Sequence, residues 1–415
     1  MNVLIINQFA STPRYNSGAG ERHYYIGMKL AEKGYHFTVI SGSVNHLFIT
    51  NPEATKLFNP ESFPGGQFIW IRLRKYKSES FLGRSISWFE FILKLFLMPI
   101  TKYPRPDIVI ASSMSLWTSL YSIYIKIKFR IPFVLEIRDI WPLTPIEIGG
   151  FSESNLFIKG FKTLEAYSYR KADAIISLMP DFKKHLFNII ANPKPVYWIP
   201  NAIEKTLLNR AFPERSSIKE KPFIVAYAGA LGYANALESF ILAATRLNNY
   251  NIEFLIIGTG PEKSKLQILA ANYPKIRFIE KMTKDKVLNL LSTVDVGYIG
   301  WRNLKIYDYG VSANKYNDYM LAKLPIIFLS NIINDPVTMA SCGLQVPADD
   351  VEHISEAILR LYRMPYEDRL LLGENGYQYL IQNNTYDHIS KLYEECIQET
   401  MNNFNKQGFS GVTLK

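Results

Sequence analysis

Apolar β-rich runs alternate with helix-periodic segments along this chain, and the alternation starts over near residue 222. In the first half, residues 3–7 read as a strand and 10–19 as a polar loop. Residues 21–33 then read as a helix stopped by Gly34. Strand-like runs follow at 36–41, 107–111, 132–137, 174–178 and 196–199, with a helical segment at 116–128. In the second half, strands at 223–228, 253–257, 277–280, 294–299 and 325–329 alternate with helices at 237–247, 263–272 and 284–292. This pattern predicts an α/β chain with one parallel, doubly wound sheet in each half, the linker running from Pro200 to Pro222. Doubly wound domains bind ligands at the carboxyl ends of their strands, so the expected site is a cleft between the two.

Composition narrows the function. At 415 residues and 48% hydrophobic, the chain can build two large cores. Its only cysteines, Cys342 and Cys396, exclude a disulfide scaffold and a cysteine zinc site, and suit a reducing compartment. No signal-peptide pattern opens the sequence, and no uninterrupted apolar stretch is long enough to span a bilayer. Residues 1–200 hold 24 Lys+Arg against 14 Asp+Glu, an excess that equals the net charge of +10 of the whole chain. That half is therefore suited to nucleic acid, an anionic membrane or phosphorylated ligands. One basic stretch, 75–105, interleaves Phe81, Trp88, Phe89, Phe91 and Phe96 with Arg84, Lys94 and Lys102. It reads either as a helix lying in a membrane interface, with Arg84, Trp88, Lys94 and Lys102 facing the lipid or a lipid-linked acceptor, or as a core helix with basic flanks.

Glycines mark three strand-to-helix turns. Gly18 and Gly20 precede the first helix, Gly229 and Gly232 follow the first strand of the second half, and Gly258 and Gly260 follow the next. Small residues there let backbone N–H groups approach a phosphate at a helix N-terminus. The same glycines also suit tight turns that only pack. The stretch from Asp308 to Pro325 is more specific. Ser312 reads as the cap of a helix over 315–322, which places Asn314 and Lys315 where N–H groups and an ammonium can hold a diphosphate. Asp318, one turn on, can accept from a ribose diol or simply complement the helix dipole.

The run Ser312-Ala313-Asn314-Lys315-Tyr316-Asn317-Asp318-Tyr319-Met320-Leu321-Ala322-Lys323-Leu324-Pro325 resembles the donor-site helix of family 4 retaining glycosyltransferases. Further segments are similar to that family: Gly18 to His23, Ile137-Arg138-Asp139-Ile140-Trp141-Pro142, Pro200-Asn201, Tyr227 to Tyr233 and Ile256 to Pro261. The resemblance spans about residues 1–400 and is nearest to transferases of O-antigen and capsule assembly, including N-acetyl-L-fucosamine transferases. It implies the GT-B fold, two Rossmann-like domains facing each other across a cleft. An acceptor domain would span 1–203 and a donor domain 204–384. A helix at 385–402 would pack back on the first domain, leaving a tail at 403–415.

By that resemblance the donor is a nucleotide-sugar, most simply a UDP-sugar, and the acceptor a saccharide on a polyprenyl diphosphate. The enzyme would sit on the cytoplasmic face of the bacterial membrane, with no nucleic-acid partner, no cofactor and no metal. The family pairs two acids eight positions apart. Asp318 occupies the second place, which binds ribose, whereas Gly310 occupies the first, with Asp308 nearby. The segment from Gly229 to Glu238 lacks the Arg and Lys that usually bind the diphosphate, so Asn314, Lys315 and Lys281 take that expectation. Arg138 and Asp139 are expected to orient the acceptor and sugar near the anomeric carbon, or to form a salt bridge at a strand end. Three other readings stay open: a nucleotide-sugar 2-epimerase of the same fold, a catalytically silent partner subunit, and a nucleic-acid-binding protein. The last lacks any recognisable motif.

Overall fold

The computed structural model describes residues 1–15, 20–45, 48–76, 81–113, 115–192, 194–210, 212 and 221–407, without the side chains of 81, 82, 84 and 407. The chain forms two compact units, residues 1–200 with 386–415, and residues 201–385.

The first unit is built on eight strands: β1 (Asn2–Ile6), β2 (His36–Gly42), β3 (Phe58–Phe63), β4 (Gly66–Ile71), β5 (Ile108–Ser113), β6 (Phe133–Ile137), β7 (Ala174–Ser177) and β8 (Val196–Trp198). Their order is β3-β4-β2-β1-β5-β6-β7-β8. All neighbours are parallel except the β3–β4 hairpin. Strands β5 and β6 are buried from end to end, and β1 from Val3 onward, which is what a sheet covered on both faces requires. The hairpin escapes the pattern read from sequence. Phe58–Phe63 carries Pro60 and lacks a clean apolar alternation, as befits an edge strand.

The last helix, Tyr386–Gln407, belongs to this unit. Tyr386 stacks on Tyr25 at 4.7 Å, Asp387 pairs with Lys29 at 2.8 Å, and Glu399 accepts from Tyr197 Oη at 2.6 Å.

The second unit has six parallel strands: β9 (Phe223–Ala228), β10 (Ile252–Ile257), β11 (Ile276–Ile279), β12 (Val296–Gly300), β13 (Ile326–Leu329) and β14 (Gly343–Val346). The order β11-β10-β9-β12-β13-β14 is the doubly wound one, and its direction reverses between β9 and β12. Val225, Ile256, Tyr298 and Phe240 fill the core, the last two rings stacked 4.2 Å apart. Among the described residues, no helix is long and apolar enough to cross a membrane.

Candidate active site

Each unit gathers polar side chains at the carboxyl ends of its strands. In the second unit they converge where the strand order reverses. Lys315, in the first turn of the helix Asn314–Leu321, sends Nζ toward the loop after β9. It donates to Asn235 Oδ1 at 2.6 Å and to Tyr227 Oη at 3.2 Å. The ammonium also lies 4.6 Å from the Tyr227 ring centre and 4.7 Å from that of Trp301. Asn235 Nδ2 and Tyr227 Oη both donate to the Ala230 carbonyl, which fixes the cradle. Among the described residues, no carboxylate pairs with Lys315. Burial pushes its ammonium down to about 7. The cradle is thus a half-buried cation held by neutral groups.

The helix carrying Lys315 starts differently from expectation. Its N-cap is Ala313, which provides no side-chain cap. Ser312 is not the cap: its Oγ accepts from the Asn201 N–H at 2.8 Å, while its carbonyl accepts from Asn201 Nδ2 at 2.6 Å. The Pro-Asn step thus ties the start of this unit to the loop, outbidding the cap. Asn314 is exposed at the helix start. Asp318 is only 15% exposed and pairs through Oδ1 with Lys284, the first residue of the helix Lys284–Leu291. Lys281 is exposed and forms no ion pair among the described residues. The cation beside Asp318 is therefore Lys284, which sequence spacing did not single out.

The glycines divide by role. A Cβ on Gly258 would sit 1.9 Å from the Gly229 carbonyl oxygen, and one on Gly260 would sit 2.3 Å from that of Leu231. Both are needed for two loops to touch. Gly229 faces the Lys315 stem, whereas Gly232 borders open space, its nearest side-chain atom being Asn235 Nδ2 at 4.0 Å. In the first unit, Gly20 has φ +83° and its Cβ would meet the Phe9 carbonyl at 2.6 Å, so backbone packing requires it. Gly18 lies outside the described residues. Gly310 is buried with φ +90°, a conformation that a side chain opposes. Asp308 is exposed in the short turn Lys305–Tyr309.

The first unit holds a buried network at the ends of β1, β5 and β6. Glu136 is fully buried, receiving Arg22 Nε at 2.7 Å on Oε1 and His23 Nε2 at 2.7 Å on Oε2. Arg22 also donates to the carbonyls of Pro200 and Ile199, at 2.6 and 2.9 Å. The Phe9 N–H donates to Asn7 Oδ1, so Asn7 Nδ2 faces His23 Nδ1 at 3.3 Å as donor. His23 is therefore protonated on Nε2, toward Glu136. Burial pushes His23 below its ordinary value. Burial alone would raise the Glu136 carboxyl, but His23, Arg22 and Arg138 hold it well below the usual range. No local sequence pattern reveals this cluster, because Glu136 lies 114 positions from Arg22 and 113 from His23.

Arg138 and Asp139 follow β6. The Arg138 Nη1 atom is buried with no partner among the described residues, a donor aimed at no protein group. Asp139 has an exposed side chain. Surrounding protein raises its carboxyl above the ordinary value, and the Arg138 guanidinium opposes this. The pair forms no salt bridge within 4.0 Å.

The helix Phe81–Phe96 presents two faces. Phe91, Ile92, Leu95 and Ser87 point inward, while Ile86, Phe89, Leu93, Phe96 and Leu97 are exposed at helical spacing. Trp88 does not belong to the outer face, because it is half-buried and packs edge-on against Trp141 at 5.4 Å. Lys94 donates to Glu90 and to the Arg72 carbonyl, at 2.5 and 2.6 Å, and Lys102 is exposed. The Arg84 side chain lies outside the described residues.

Two family models match these two halves. "Glycosyltransferase Family 4" covers residues 16–207, and "Glycosyl transferases group 1" covers 222–364. The chain is a family 4 glycosyltransferase. Solved structures share the fold at low identity. Sucrose-phosphate synthase from Thermosynechococcus elongatus superposes with a TM-score of 0.73 at 16% identity, covering 97% of this chain and 100% of that one. WaaG, a glycosyltransferase involved in lipopolysaccharide biosynthesis, gives 0.64 at 14% identity, covering 95% and 99%. An E. coli structure described as trehalose-6-phosphate bound with UDP-2-fluoro glucose gives 0.67 at 10% identity, covering 96% and 99%. No curated protein matches. The structural matches give this glycosyltransferase the GT-B fold, with two Rossmann-like domains.

Proposed function

We propose that this transferase moves a sugar from a nucleotide diphosphate, most simply a UDP-sugar such as that of an N-acetylated 6-deoxyhexose, to a polyprenyl-diphosphate-linked saccharide, with retention and without metal. The observation that carries this is the Lys315 cradle, a cation with no carboxylate partner among the described residues, set at the strand-order reversal beside a helix N-terminus without a side-chain cap. A diphosphate is the ligand such a site favours.

The Lys315 ammonium and the first-turn N–H groups at Asn314 stabilise the diphosphate as the bond from the anomeric carbon to its oxygen breaks. Asp318, released from Lys284, accepts from the ribose hydroxyls. The acceptor hydroxyl oxygen bonds to the anomeric carbon on the face the diphosphate leaves, and its proton passes to a diphosphate oxygen. No strong protein base is required. Arg138 Nη1 and Asp139 orient the acceptor and sugar. Glu136 is not the base, because Arg22 and His23 hold it as a buried ion.

The acceptor class agrees with the exposed apolar stripe of the helix Phe81–Phe96 and the basic excess of its half, which suit an anionic bilayer surface. Peripheral attachment to the cytoplasmic face of the membrane, in O-antigen or capsule assembly, is the corresponding role.

The test is nucleotide release from a panel of UDP-, GDP- and ADP-sugars, with and without a polyprenyl-diphosphate-linked sugar. Acceptor-dependent release from one donor is expected. Nucleotide binding without release from any donor would favour a silent subunit, the reading that Gly310 in the place of an acid keeps in view.

A further inference from the structure

The β3–β4 hairpin adds something a doubly wound sheet does not need, and a polar cleft of about 410 Å³ opens beside it. That size lies within the range of small-molecule sites, about 300–1,000 Å³. Tyr15, Asn51, Glu53, Glu61, Arg14 and Trp70 line it. It lies toward the carboxyl ends of β1, β2 and β4, because Trp70 is the penultimate residue of β4 and Tyr15 belongs to the loop after β1. Arg22 and His23 of the buried network follow Tyr15 closely in the sequence.

Its central group is pre-set. Glu61 Oε2 receives Tyr15 Oη at 2.8 Å and Trp70 Nε1 at 2.7 Å, both from nearly buried rings. That leaves Oε1, whose nearby cation is the mostly exposed Arg14 at 3.6 Å. Burial first, and the bond to Glu61 second, push the Tyr15 hydroxyl up to about 12, so it remains a donor at neutral pH. The loop beyond is pinned in turn, since the Ile49 N–H donates to the Tyr15 carbonyl at 2.9 Å. Asn51 and Glu53 stand exposed at the rim.

The lining has a guanidinium, two carboxylates, two amides and a threonine hydroxyl. An anion such as a diphosphate would meet two like charges, and an apolar ligand would leave these groups desolvated without partners. A ligand with many hydroxyl groups satisfies donors and acceptors together, with Glu61 Oε1 as a fixed acceptor. We propose that this cleft binds a non-reacting sugar ring of the acceptor saccharide, so that the hairpin reads the chain being extended. This rests on the transferase reading above for the source of the saccharide, whereas the binding itself can be measured without turnover.

The full chain has six tryptophans, so its indole N–H signals can be followed individually in ¹⁵N-labelled protein, with Trp70 assigned by Trp70→Phe. Chitobiose, lactose and cellobiose serve as probes. The Trp70 indole signal is expected to shift saturably with at least one of them. In the doubly substituted Asn51→Ala/Glu53→Ala protein, apparent affinity should fall at least about tenfold, a loss of 1.4 kcal/mol. Both positions are exposed, and an unchanged melting temperature will confirm that the variant is folded. A Trp70 signal unmoved by all three probes, or moved equally in the variant, would overturn the proposal. Failure of the transferase reading has a different signature: no nucleotide release from any donor, whatever the Trp70 signal does.

Discussion

Lys315 Nζ donates to Asn235 Oδ1 at 2.6 Å, joining the first turn of a helix to the loop after β9. The bond parks a cation at the strand-order reversal using a neutral acceptor, so a ligand oxygen can replace it without breaking an ion pair. Lys315→Met should lower donor kcat/KM about 100-fold, the scale of losing one electrostatic contact to a leaving group. Steady-state kinetics at pH 7 checks this, and a loss under threefold would contradict it.

The same residue sets a pH dependence. Burial lowers the Lys315 ammonium to about 7, so the charged form is complete below that value and disappears above it. Donor kcat/KM reports groups of the free enzyme and should therefore fall as pH rises through 7 to 8. The descending limb should vanish in Lys315→Met.

Asp318 gives a separate measurement. If its carboxylate accepts from the ribose, Asp318→Ala should weaken UDP binding about 10–100-fold, the worth of a hydrogen bond to a charged group. Isothermal titration reads this directly. Unchanged affinity would leave Asp318 as a structural partner of Lys284.

Much of the fold was legible in the sequence because parallel buried strands announce themselves as continuous apolar runs. Residues 223–228 and 325–329 do so. Strand β3 and the edge strand Gly343–Val346 were not legible, since neither carries a continuous buried run, whereas β4 does carry one from Phe68 to Ile71 and was passed over. The Lys315 position was readable from the turn before it. Its partner Asn235 lies 80 positions away, and no local pattern links them. Lys284 beside Asp318 and Glu136 beside Arg22 were missed for the same reason, because each pair exists only through tertiary contact.

The buried network predicts acid sensitivity. Glu136 is held below its unfolded value, so its contribution is complete above about 4.3 and is lost as pH falls further. His23 is also lowered, so below about 6.5 the unfolded chain binds a proton that the folded one does not, and stability drops. Glu136→Gln should cost about 3–5 kcal/mol at pH 7, because Arg22 is left as an unpaired buried charge. Urea unfolding at pH 7 and pH 5 tests both points, and a cost under about 1 kcal/mol would show that the pair is dispensable.

The exposed stripe predicts lipid binding. Phe89→Ser and Leu93→Ser should each weaken binding to vesicles containing phosphatidylglycerol about tenfold, in line with about 1.5–3 kcal/mol for burying such a side chain. Wild-type binding should also weaken with added salt. Binding indifferent to both substitutions would return this helix to a packing role.

Retaining transfer from a nucleotide-sugar without metal has a direct chemical signature. The most direct measurement is proton NMR of the product formed on a polyprenyl-diphosphate-linked sugar, with a chelator present throughout. A new glycosidic linkage with the anomeric configuration of the donor is expected, formed at an unchanged rate. An inverted anomeric centre, or product that forms only when a divalent metal is restored, would contradict it.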